Sequence, residues 1–138
     1  AFSELEVSPL TVEEPTDEQV QSLLQAWLFG KAAILSGDQS VVLPIVARGS
    51  LVKRVQEQRA KDFAQGHRQI IDAAIKSLSF VDRTSKRIEV KVKLAYRDQI
   101  ITSEGETMSM TSIPSLKVTY ILGREKKLWQ LVAYISGT

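Results

Sequence analysis

From Ile88 to Arg97 the chain alternates without a break, with Ile88, Val90, Val92, Leu94 and Tyr96 set against Glu89, Lys91, Lys93, Ala95 and Arg97. This is the pattern of a strand buried on one face, because successive side chains of a strand project to opposite sides. Leu116, Val118, Tyr120 and Leu122 repeat it, and a third run extends from Leu128 to Ile135. Strands therefore fill the back half of the chain as an antiparallel meander, after a first third whose apolar spacing is helical. The fold class that follows is α+β, with helices packed on one face of a curved antiparallel sheet.

At 138 residues the chain suits one core, since a domain of this size buries about two-thirds of the surface its unfolded chain exposes. No apolar run approaches the ~20 residues of a membrane-spanning helix. The absence of cysteine excludes disulfides, thiolate catalysis and cysteine-ligated metal. A net charge of +2 hides an asymmetry: before residue 41 seven acids (Glu4, Glu6, Glu13, Glu14, Asp17, Glu18, Asp38) face Lys31 alone. The remainder is basic, a composition suited to anionic partners or to a solvated strand face. Nucleic acid is disfavoured as a partner, because no Arg-Gly run, aromatic stacking motif or zinc finger is present. No cofactor is expected.

Residues 1–15, with Pro9, Glu13, Glu14 and Pro15, read as a linker that joins residues 16–138 to an earlier segment. Thr16 with Gln19 forms a capping-box pattern, Val20, Leu23, Leu24, Trp27, Leu28, Ile34 and Leu35 make the apolar stripe, and Gly37 supplies the stop. Lys31 interrupts that stripe one turn after Trp27. It suits either a stem lying along apolar surface or a cation paired with a ligand carboxylate. A helical turn broken by Pro44 is expected from Gln39 to Ala47. A third helix follows, capped by Ser50, with Leu51, Val52, Val55, Ala60 and Phe63 as its apolar positions.

His67, the only histidine, reads as a polar group at that helix end. Residues 68–82 fit a strand with a bulge near Ala73 and Ala74, and 103–114 a polar loop or weak strand. Gly123 to Lys127 is expected to form the last turn. Beyond it Trp129, Leu131, Ala133 and Ile135 share one face, and Leu128, Gln130, Val132 and Tyr134 the other.

Helices on a curved antiparallel sheet match a cystatin-like or nuclear-transport-factor-like cone, whose concave side makes a pocket. An isomerase or lyase on such a cone needs a buried acid, histidine or tyrosine, and Asp72, Asp98, Tyr96 and Tyr120 are the residues to weigh. Trp27 with Lys31 and Ala32, Leu43-Pro44, Leu51-Val52-Lys53 and a strand meander carrying Tyr120 and Trp129 resemble a more specific family. This is the C-terminal intermembrane-space domain of plant and cyanobacterial plastid-division proteins, and the likeness spans about residues 17–136. The chain departs from that family's pattern at Gly66 to Gln69, where an aromatic cluster is usual, and at Leu94 to Tyr96, where a Glu is common.

The resemblance implies a non-enzymatic, membrane-associated domain that faces the periplasm or intermembrane space and captures a partner's peptide or C-terminal tail. Any membrane anchor would lie in segments outside this chain. Trp27, Lys31, Phe63, Tyr96, Tyr120 and Trp129 are the expected partner-binding residues, aromatic anchors with a basic rim. A small-molecule binder or lyase/isomerase on the same cone, a cytoplasmic location, and pairing of two copies through the open sheet face stay open as alternatives.

Overall fold

A computed structural model describes residues 9–136. Helix α1 (Asp17–Ser36) begins at the capping box: Thr16 Oγ1 accepts the Gln19 N–H at 3.1 Å, and Gln19 Oε1 accepts the Thr16 N–H at 2.9 Å. It ends at Gly37, whose N–H donates to the Ile34 carbonyl and whose φ of 109° turns the chain so that the Asp38 N–H reaches the Ala33 carbonyl. The negative end of this helix is met from another element, because Arg59 donates to the carbonyls of Gly37 and Asp38 at 3.0 and 2.8 Å.

Helix α2 (Leu43–Val46) is one turn long, and Pro44 stands in it as an initiator rather than a breaker. In a first turn the missing N–H has no partner to lose. Helix α3 (Gly49–Ala64) is capped by Arg48, not Ser50, and its cap has no side-chain bond. Its entry is fixed by the sheet, since the Arg48 N–H donates to the Leu131 carbonyl at 3.0 Å. Leu51, Val52 and Val55 are buried, whereas Ala60 and Phe63, expected in the same stripe, are exposed.

Strands β1 (His67–Arg83), β2 (Arg87–Thr102), β3 (Thr107–Glu125) and β4 (Leu128–Ser136) form one antiparallel sheet in chain order. The sheet does not close on itself, and the helices cover one face. This meets the α+β expectation; the cystatin-like and nuclear-transport-factor-like labels are finer than the architecture supports. The core joins Val20, Leu24 and Trp27 of α1 to Ile88, Val90, Val92, Leu94, Tyr120, Leu122, Trp129 and Leu131 of the sheet. Each such aliphatic side chain contributes about 1.5–3 kcal/mol by leaving water.

Register irregularities separate the strands from their sequence reading. In β1 they fall between Ile75 and Ser77, just beyond the bulge expected near Ala73 and Ala74, and between Phe80 and Asp82. His67 opens this strand instead of closing α3. Of the two readings of the stretch before Pro114, loop or weak strand, the strand is found from Thr107, because the second half of β2 supplies its partners, and Pro114 falls where the register shifts. The last turn is shorter than expected. Lys126 and Lys127 alone form it, at φ of 51° and 66°, and Gly123 lies within β3.

Of the expected linker, residues 1–8 lie outside the described residues. Pro15 is buried, the Trp129 N–H donates to the Leu10 carbonyl at 2.9 Å, and Arg83 bonds both Asp17 and the Pro15 carbonyl. The segment from Leu10 thus runs against the outer edge of β4.

Candidate functional site

A groove of about 290 Å³ opens between α1 and the inner sheet face. Helix α1 contributes Trp27, Leu28, Lys31 and Ala32, which the 3.6-residue period places on adjoining turns. Every strand supplies part of the floor, including Ile71, Tyr96, Ile113, Tyr120 and Tyr134. Four of the six expected residues, Trp27, Lys31, Tyr96 and Tyr120, therefore meet at one place.

The other two lie elsewhere. Trp129 is 1% exposed, and its indole N–H donates to the Val12 carbonyl at 2.8 Å, so it anchors the N-terminal segment to the core. Phe63 stacks beneath the Arg59 guanidinium at 5.1 Å and packs over Gly37, where an added Cβ would stand 3.1 Å from the ring. It borders a separate depression with His67, Arg68 and Glu104.

Tyr134 is the groove residue that alternation along β4 assigns to the wrong face. Leu122 pairs with Leu131 and Ile121 with Ala133, so Val132 is an extra residue in β4. Beyond this bulge the facing is reversed. Tyr134 consequently joins the buried side, 5.6 Å from the Trp27 ring and 6.1 Å from Tyr120. No residue preference in Leu131 to Tyr134 announces the bulge.

Among the described residues Lys31 is the single charged one of the lining. Its ammonium stands 5.8 Å from the Trp27 ring centroid and 5.3 Å from that of Tyr134, within cation–π range of both. Among the described residues no carboxylate pairs with it. Two phenols of the lining, Tyr96 and Tyr120, are held neutral. Burial pushes the Tyr120 hydroxyl well above the ordinary tyrosine range, with Tyr134 adding to the effect. Tyr96 is raised in the same way by burial, and then by its bond to Asp98, to which its hydroxyl donates at 2.6 Å.

Among the described residues the groove lining contains neither a carboxylate nor a histidine. Asp72 is exposed and 3.8 Å from Arg97. Among the described residues no cluster of three or more potential ligands is arranged to hold a metal, and no helix is long and apolar enough to cross a membrane.

Comparison with known proteins identifies this arrangement. The family described as the ARC6-like IMS domain matches residues 20–132. The chain belongs to that family. Among solved structures, the intermembrane space region of the chloroplast protein ARC6 superposes with a TM-score of 0.67, covering 88% of this chain and 96% of that one at 16% identity. The shared fold is thus carried by packing rather than by residue identity. Curated proteins give no match. The span matched to the ARC6-like IMS family includes Trp27, Lys31, Tyr96 and Tyr120 but stops short of Tyr134.

Proposed function

We propose that this is a non-enzymatic interaction domain of a membrane-associated division protein, which captures a partner's C-terminal tail in the groove between α1 and the sheet. The observation that carries this reading is Lys31, a cation without a counter-ion among the described residues, held between two aromatic rings at the mouth of an apolar groove. Such a site suits a chain end, with an apolar side chain inserted among Trp27, Tyr120 and Tyr134 and the terminal carboxylate on the ammonium. Among the described residues the lining offers neither a carboxylate nor a histidine to a reacting substrate, and its phenols Tyr96 and Tyr120 hold their protons tightly, which favours binding over the lyase or isomerase alternative. Family membership supports the division context, and a location on the intermembrane-space or periplasmic side of a membrane accompanies it.

The test is a fluorescence titration with a set of peptides of apolar C-terminus, each prepared with a free carboxylate and as the amide. Quenching or enhancement from Trp27 is expected with the carboxylate form, and Lys31→Met should abolish the preference. Equal binding of acid and amide forms removes the carboxylate from the mechanism.

A further inference from the structure

The sheet face turned away from the helices carries a second cluster. Register places Ser77, Lys93 and Lys117 in one cross-strand row, and Ser79, Lys91 and Thr119 in the adjoining one. Together they border a shallow depression of about 470 Å³. Lys93 stands directly opposite Lys117, a like-charge pairing that opposes strand association. Among the described residues none of the three lysines has an ion-pair partner; in the row beyond Lys91, Glu89 is paired with Arg87 at 3.2 Å and stands opposite Asp82. With a net charge of only +2 for the chain, this is a local concentration of positive charge and not a property of the whole surface.

We propose that this outer face rests on an anionic lipid surface. The lysines are exposed point charges on flexible stems, suited to a fluid array of headgroups rather than to one fixed, bidentate anion. The row of Lys91 and Thr119 continues to Ile135, which pairs with Thr119 and is 54% exposed, so an aliphatic side chain flanks the charge on the same face. Basic residues beside exposed aliphatic ones are the combination that partitions to a charged bilayer interface. The tail groove lies on the opposite side of the sheet. Lipid contact and tail capture are therefore compatible, and this inference stands whether or not the groove binds a tail.

Sedimentation of the chain with vesicles tests it, comparing phosphatidylcholine alone with phosphatidylcholine mixed with phosphatidylglycerol, at low and raised salt. Binding is expected only to the anionic vesicles and is expected to fall with salt. Replacing Lys91, Lys93 and Lys117 together by Gln should weaken it about a hundred-fold, from about five-fold per lysine near such a surface. The same three positions changed to Arg should keep binding, which separates charge loss from misfolding. The matched control removes as much charge from α3 through Lys53→Gln, Arg54→Gln and Lys61→Gln, and should stay within a few-fold of the parent. Equal loss in both triple variants, no binding to anionic vesicles at low salt, or retention on heparin through the sheet lysines without sedimentation each overturns the proposal.

Discussion

The Lys31 ammonium lies 5.3 Å from the ring centroid of Tyr134, a residue more than a hundred positions away that only a bulge at Val132 brings to this side of the sheet. The cation is thus placed by two elements at once. Helix α1 fixes the origin of the stem, and the end of β4 fixes where the charge settles. With the Trp27 and Tyr134 rings both within cation–π range of the ammonium, its position is already restricted before a carboxylate binds.

Lys31→Met preserves the stem and deletes the charge. Stability should fall by no more than about 1 kcal/mol, the range of a partly exposed cation–π contact. Affinity for carboxylate-ended peptides should fall much further, and Lys31→Glu should reduce it more by reversing the sign. Urea denaturation read beside peptide titration separates the two effects.

Trp129 belongs to the core by its burial. Trp129→Ala should therefore cost about 3–5 kcal/mol in urea denaturation. Trp129→Phe, which keeps most of the packing but leaves the Val12 carbonyl without its indole donor, should cost about 1–3 kcal/mol. Unaltered stability in the alanine variant would contradict the core assignment.

The β3–β4 turn is built from two lysines in left-handed backbone conformations, which side chains with a Cβ adopt at a cost. Replacing Lys126 by Asn and Lys127 by Gly supplies the residues that a two-residue turn of this kind favours. A gain of about 1 kcal/mol is expected, visible as a raised thermal midpoint.

Alkaline pH should destabilise the domain through its buried phenols. Tyr96 and Tyr120 hold their protons in the folded state above the ordinary tyrosine value of 10.0. Once the pH exceeds that value the unfolded chain releases these protons and the folded one does not, so the unfolded state binds fewer protons and stability falls as pH rises. Below it both states are protonated and there is no effect. Tyr120→Phe should flatten the alkaline arm of a stability-versus-pH curve relative to the parent, at whatever absolute stability the variant has.

What the sequence discloses here is whatever depends on neighbours along the chain. The capping box at Thr16, the stop at Gly37 and the alternation of β2 are local, and each is present as expected. Ser50 misleads because the start of α3 is set by a bond from Arg48 to Leu131, a partner in another element. Phe63 fits the apolar spacing of α3, yet it comes after the helix has passed the edge of the core, where Arg59 and Gly37 are its neighbours. In the groove, Trp27, Lys31, Tyr96 and Tyr120 were legible as candidates by residue type. Their companion Tyr134 was not, because an inserted residue in a strand changes the facing of everything beyond it without changing composition.

Strand β4 ends opposite Val118, so among the described residues the stretch of β3 from Thr107 to Lys117 has a neighbour on one side only. An unfinished flank of this length invites other chains to stack on it. Pro114 divides the flank, removing one donor at the point where the strand also slips its register against β2. A visiting strand would find a few aligned groups on either side of that break and no continuous track, so the domain presents a long margin to water while limiting growth along it.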